Sequence, residues 1–256
     1  MPAWDPTLYL KFGAERTRPA ADLLARVNVE APRFVVDLGC GPGNSTALLR
    51  ARYADADILG VDSSADMLAD AAGSGVAARW RQGDFDTWSP ETPPDLIYAN
   101  AAFQWSDAPV ALVTRLFRTL ASGGALAFQV PQNFDQPSHV QVRAAVDTGG
   151  WAEKLKGARQ YDPGFARAAD YARALMPLGA RLDIWTSEYL HILDGPDPVF
   201  RWMSGTGLRP FVQALDGADR AAFEAAVRER LARAYPAEAD GRTLFPFRRL
   251  FVIAAA

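Results

Sequence analysis

Cysteine is almost missing from this chain: Cys40 is the one cysteine in 256 residues. An internal disulfide is therefore excluded, and a reducing compartment fits. Histidine is nearly as scarce. His139 and His191 lie far apart and carry no ligand spacing, so no metal site is expected. Positive charge is not in excess. A formal net charge of −3 excludes a general attraction to nucleic acid or to an anionic membrane. No apolar run is long enough to span a bilayer, and "MPAWDPTLYLKFGAERTRP" lacks the apolar core of a secretory leader. A cytoplasmic protein, monomeric or weakly dimeric, is the expectation. What the chain does have is 49% hydrophobic and 22% charged residues, enough to bury a core in one domain without staples.

The first half alternates strand and helix signals. Apolar, β-branched runs at Phe34–Leu38, "DILGVD", "VAARWRQGD", "DLIYANAAF" and "ALAFQVP" are separated by amphipathic or capped helical stretches. Asn44 and Ser45 are candidate caps for the first of these helices, and Ser63 and Ser64 for the second. Such alternation predicts a doubly wound parallel sheet. The rhythm breaks after residue 132. Segments 133–179 and 195–240 read as a helical lid, 1–30 as an N-terminal helical cap and 31–132 as the ligand-binding half. "ARLDIWTSEYLHIL" and "TLFPFRRLFVIAAA" read as late strands. Ligands of open α/β sheets bind at the carboxyl edge.

At that edge stands "VVDLGCGPGNST". Gly39, Gly41 and Gly43 follow a buried strand and precede a helix. Glycine permits positive φ and lets a ligand touch backbone. One glycine fits a plain tight turn; three point to a cofactor. A dinucleotide turn needs G-x-G-x-x-G with a pyrophosphate at the helix start, but Asn44 holds its third glycine position. Asp37 would repel a pyrophosphate and attract an ammonium or sulfonium. S-adenosylmethionine is therefore favoured over a nicotinamide cofactor.

These residues resemble motif I of the class I S-adenosylmethionine-dependent methyltransferases. Asp62 of "GVDSS", Asp84 of "QGDFD" and the loop "DLIYANAAFQW" match three further motifs in order. The resemblance implies an α/β, Rossmann-like, mostly parallel seven-stranded sheet with an antiparallel strand near the C-terminus and a helical lid insertion. It implies that Asp62, beside Ser63, accepts from the ribose hydroxyls. Asp84 and the Phe85 amide would hold adenine, and Met67 would cover a ring face. Asp37 and the backbone of Gly39 and Asn100 would lie at the methionine end, and Gly41 would also touch the cofactor. Each has a plainer alternative: Asp62 as a helix cap, Asp84 as a turn aspartate, Met67 as core. Cys40 reads as a small packing residue.

Further segments ("TGLRPF", "DIWTSEYLH", "FPFRRLFVIA") resemble the branch of this family that esterifies a small tricarboxylate. A carboxylate is ionised at pH 7, so an in-line displacement needs no general base, and alignment is the main task. Gln104 and Trp105 are candidates for that alignment. Arginine is the natural fork for a carboxylate; Arg16, Arg18, Arg209, Arg248 and Arg249 are candidates. Arg248 and Arg249, adjacent on a strand, point to opposite faces, so at most one of them faces the pocket. Tyr9, Tyr189, His191 and Trp202 complete the predicted lining. The competing functions are methylation of another small acid, a carrier-bound malonyl group or a quinone-like ring, and a non-catalytic module that only binds S-adenosylmethionine.

Overall fold

The computed structural model describes residues 13–156, 158, 165–205 and 207–256. In chain order its elements are α1 (Gly13–Arg26), β1 (Phe34–Leu38), α2 (Asn44–Arg52), β2 (Asp57–Asp62), α3 (Ala65–Gly73), β3 (Arg79–Gln82) and β4 (Leu96–Asn100). There follow α4 (Pro109–Phe117), β5 (Ala125–Pro131), α5 (Pro137–Thr148), α6 (Ala168–Leu175) and β6 (Arg181–Leu193). The chain closes with α7 (Pro198–Ser204), α8 (Arg209–Ala214), α9 (Gly217–Ala234) and β7 (Thr243–Ala255). The strands form one seven-stranded sheet in the order β3-β2-β1-β4-β5-β7-β6. β3, β2, β1, β4 and β5 are mutually parallel, and β7 runs antiparallel to β5. The fold expectation holds.

The chain divides into two compact units. The sheet unit comprises Ala14–Pro131, Ala166–Ser187 and Arg249–Ala256; the helical unit is built from Gln132–Phe165 and Glu188–Arg248. The insertion expected at 133–179 is therefore split. Tyr171 and Leu175 of α6 are buried in the core of the sheet unit, with the Tyr171 ring 5.0 Å from Phe128 of β5. Its apolar face thus belongs to the sheet. The helical unit has its own core around Trp151, Phe211, Phe223, Leu231 and Phe245.

β1, β4 and β5 are buried along almost their whole length, as strands covered on both faces must be, which is why they read as continuous apolar runs. The sheet is also tied by polar groups. Asp95 Oδ2 accepts the Arg33 and Phe34 amides at 2.7 and 3.0 Å, fixing the start of β1 beside β4. Arg50 donates to the carbonyls of Tyr53, Ala54, Ala56 and Ala77, closing the turn that leads into β2.

Trp80 of the edge strand β3 packs against β2. A Cβ at Gly60 would stand 2.5 Å from the Trp80 ring, and one at Gly43 would stand 3.1 Å from the same ring. The indole therefore braces both β2 and the last glycine of the turn after β1. Gly60→Ala forces that ring to move, and overpacking of this kind costs about 1–3 kcal/mol. Urea unfolding followed by tryptophan fluorescence is expected to show the loss; unchanged stability would remove Trp80 from its bracing role.

Candidate functional site

The site begins where β1 ends. Gly39, Gly41 and Gly43 have φ of 74°, 54° and 91°, a region costly for any residue with a Cβ. At Gly39 space also decides: a Cβ there would meet Ala102 Cβ at 2.4 Å. At Gly41 a Cβ would meet nothing within 4 Å, so the backbone there faces open space. The Gly39 and Cys40 amides both donate to Val61 O, at 2.8 and 3.1 Å, which pins the turn to β2.

Asp62 closes the clasp. Its Oδ2 accepts the Gly41 amide at 2.9 Å, and its Oδ1 accepts the Ser64 amide at 2.9 Å. One half-buried carboxylate thus holds the glycine turn and the entry to α3 together. Each carboxylate oxygen keeps lone-pair capacity for a further donor. The cap of α3 is Ser64, whose Oγ accepts from the Met67 amide. Ser63 is exposed and offers its carbonyl to Gln82, so it is not the cap. Met67 is half-buried on the first turn of α3.

Asp37 is fully buried. Its Oδ2 accepts from Ser45 Oγ at 2.8 Å and Thr46 Oγ1 at 2.6 Å, while its Oδ1 has no partner. Asn44 and Ser45 do not cap α2: the residue before that helix is Gly43, with no side-chain cap. The Ser45 hydroxyl is committed to Asp37 instead. Burial drives the Asp37 carboxyl up to about 6, against the pull of the two hydroxyls and with some help from the nearby Asp62 charge. Cys40 is buried, and burial together with the Asp37 and Asp62 charges pushes its thiol far above the ordinary range. It is no nucleophile.

Beyond β3, Asp84 is exposed and its Oδ1 accepts the Asp86 amide at 2.9 Å. This is the turn-aspartate geometry. What holds the loop is Arg115 of α4, which donates to the carbonyls of Phe85, Asp86 and Trp88. Asp86 Oδ1 in turn accepts from Ser106 Oγ at 2.5 Å, so the loop after β3 is tied to the loop after β4. No spacing in the sequence marks Arg115 or Ser106 for this.

The loop after β4 carries the strain. Ala101 has φ 53°, a conformation that costs an alanine about 1–2 kcal/mol. It is held by Ala101 N donating to Gln129 O, and by Gln104 Nε2 donating to Ala101 O at 2.6 Å. Gln104 is buried and its Oε1 has no partner. It therefore presents an acceptor, which suits a cationic group and not a carboxylate. Trp105 is 36% exposed. Asn100 is half-buried, and its Oδ1 accepts from Gln129 Nε2 at 2.6 Å.

The predicted substrate residues separate by unit. Arg249 is buried in the sheet unit, where Nη1 donates to Gln129 Oε1 at 3.2 Å. In the helical unit Arg248 pairs with Asp135 at 2.7 Å; of the two neighbours, Arg249 is the interior one. Tyr189, His191 and Trp202 are brought together in the helical unit, with the His191 ring 4.3 Å from Trp202 and 6.5 Å from Tyr189. Arg209 is exposed at the first turn of α8. Its apolar sequence neighbours do not bury it, since Leu208 and Phe211 take the interior side. Arg18 is exposed and lies 3.9 Å from Asp22. Tyr9 and the Arg16 side chain lie outside the described residues. His139 is buried in the helical unit, and burial with the Arg143 charge brings it down to about 4. Among the described residues no group of three metal-ligating side chains occurs, and no helix is long and apolar enough to cross a membrane.

Residues 35–124 match the family model described as a methyltransferase domain. The YcgJ protein of Bacillus subtilis shares the fold at TM-score 0.60 and 14% identity, over 93% of this chain and 97% of that one. Fold, glycine turn and family model together give the Rossmann-like fold of a methyltransferase domain. The relationship extends through the helical unit. A trans-aconitate 2-methyltransferase of Methylobacterium nodulans is 48% identical, with 99% of this chain and 98% of that protein covered. One from Azoarcus is 46% identical over 99% of each. The chain belongs to the trans-aconitate 2-methyltransferase family, the tricarboxylate branch whose segments the sequence resembles.

The buried carboxylate gives a prediction for the ligand-free protein. Asp37 has an ordinary value of 3.8 and a folded value of about 6. Its contribution to stability is full below the lower value and is lost as pH rises through the upper one. Asp37→Asn removes this penalty. The variant is expected to melt above wild type at pH 8, with the gap shrinking toward pH 4. His139 drifts the opposite way, since its folded value lies below its ordinary one, and it cancels in the comparison. A gap that grows on acidification would contradict the assignment.

Proposed function

We propose that this chain transfers the methyl group of S-adenosylmethionine to a carboxylate oxygen of trans-aconitate, giving a methyl ester and S-adenosylhomocysteine. The observation that carries the acceptor is the relationship to trans-aconitate 2-methyltransferases along nearly the whole chain. The residues of the sheet unit fit the donor. Asp37 Oδ1 is a buried acceptor without a partner, Gln104 Oε1 is another, and both suit the methionine ammonium. The open backbone at Gly41 and the Asp62 carboxylate beside it suit the ribose hydroxyls. When bound, the cofactor supplies a methyl group on a positively charged sulfur.

The chain's own contribution is alignment and exclusion of water. The acceptor carboxylate arrives ionised, so no side chain has to remove a proton. Cys40 keeps its proton because burial pushes its thiol up, and His139, brought down to about 4 by burial, is a weak base. Fixing two reactants in attack geometry supplies roughly 7–11 kcal/mol of barrier reduction. Phe85, Phe103 and Phe128 line up behind the loops after β3 and β4, with ring centroids 5.9 and 5.4 Å apart. They give those loops a rigid apolar floor. Asp37 and Asp62 disfavour a pyrophosphate-bearing cofactor at the same turn.

Incubation with methyl-labelled S-adenosylmethionine and trans-aconitate is expected to yield a base-labile methyl ester. If labelled ester forms from other small acids and not from trans-aconitate, the acceptor is wrong; if no acid is methylated, so is the reaction. Asp62→Ala is expected to weaken S-adenosylhomocysteine binding by about 1–3 kcal/mol. Calorimetry showing wild-type affinity would take Asp62 out of the cofactor site.

A further inference from the structure

Three side chains form a polar row across β4, β5 and β7 within the sheet unit. Asn100 is the register partner of Gln129, and Arg249 stands opposite Pro131 on the antiparallel neighbour. Arg249 Nη1 donates to Gln129 Oε1 at 3.2 Å, and Gln129 Nε2 donates to Asn100 Oδ1 at 2.6 Å. Gln129 is fully buried and Arg249 is 4% exposed.

The order of these bonds is forced from one end. A guanidinium has only donors, so Gln129 must turn its carbonyl oxygen toward Arg249. Its N–H2 then faces Asn100, and Asn100 must answer with an oxygen. The Asn100 N–H2 is the end left over. Asn100 is half-buried at the carboxyl end of β4, immediately before the strained Ala101. Gln104, the other amide of this loop, spends its N–H2 on Ala101 O and presents an oxygen. The loop thus shows one amide as acceptor and one as donor, and only the donor can hold a carboxylate.

We infer that Gln129 and Arg249 are positioning residues that lock the Asn100 amide with its N–H2 outward, where it donates to a bound carboxylate. Resting on the methyl-transfer reading above, this assigns the Asn100 side chain a role besides that of its backbone. The carboxylate belongs either to the acceptor or to the methionine end of the cofactor, and the test separates the two.

Gln129→Glu is the informative change. It keeps an acceptor for Arg249 and adds an opposite charge, so a merely structural row is preserved or strengthened. It removes the N–H2 that faces Asn100, however, and an acceptor-only carboxylate there pulls the Asn100 N–H2 inward. The oxygen of Asn100 then faces the ligand. The expected result is a variant that melts at or above wild type, with either the acceptor KM or the S-adenosylhomocysteine Kd raised about tenfold or more and kcat changed far less. A rise in KM places the acceptor carboxylate on Asn100, and a rise in Kd places the cofactor's there. A folded variant with both constants unchanged overturns the inference. Should that variant not fold, Asn100→Asp decides: it still accepts from Gln129 but has no N–H to offer, so it should raise either the acceptor KM or the S-adenosylhomocysteine Kd, and both unchanged overturns the inference. Wild-type turnover of trans-aconitate, measured alongside, reports on the proposed reaction. The variant-to-wild-type ratio, taken with whichever acid is turned over, reports on the row.

Discussion

A carboxylate buried at the end of β1 organises this site. Asp37 is out of contact with water, and two hydroxyls from the first turn of α2 hold one of its oxygens. Those bonds do two things at once. They dock the start of α2 on the strand, and they leave the second oxygen unsatisfied inside the protein. An orphaned buried acceptor costs free energy unless a donor arrives, and a cationic ligand is the donor that offsets the most. The glycine turn is built around this feature. Its amides are pinned to Val61 and Asp62, and Trp80 braces it from the far side. The turn thus places one buried acceptor without a partner, Asp37 Oδ1, near a second carboxylate, Asp62, that holds the Gly41 amide.

The second level of order is how the loops at the carboxyl edge are fixed. Arg115 stitches three carbonyls of the loop after β3, and Ser106 ties that loop to the one after β4. Ala101 is strained, and Gln129 and Gln104 hold it there from both sides. Backbone strain of this sort persists only where its surroundings over-determine it. In an enzyme whose work is alignment, such rigidity is what the chemistry requires.

Much of the sheet unit was legible in the sequence because its signals are local. Apolar runs, glycines after a strand and carboxylates at strand ends each report on a few adjacent residues. β1, β2 and β5 fall where their hydrophobic runs place them, and Asp37 and Asp62 stand at the carboxyl ends of their strands, beside the glycine turn. β4 is shorter than its run, ending at Asn100, because the next residue leaves the extended region altogether. Ser45 was misread as a helix cap because its true partner, Asp37, is contacted only after the chain folds back. Gln129 and Arg115 were invisible for the same reason: an ordinary glutamine in a strand and an arginine on a helix acquire roles only through neighbouring elements. Arg209 is exposed where its apolar neighbours in sequence suggested an enclosed side chain, since such neighbours do not bury a residue that starts a helix.

The central claim is that the Asp37 carboxylate waits for a cation. Carbon-13 NMR of the Asp37 side-chain carboxyl tests it without reference to turnover. In the ligand-free protein its titration midpoint should lie near 6, and saturation with S-adenosylhomocysteine should lower it, because an ammonium beside the free oxygen stabilises the charged form. A midpoint that stays in place or climbs when the ligand binds would contradict the account.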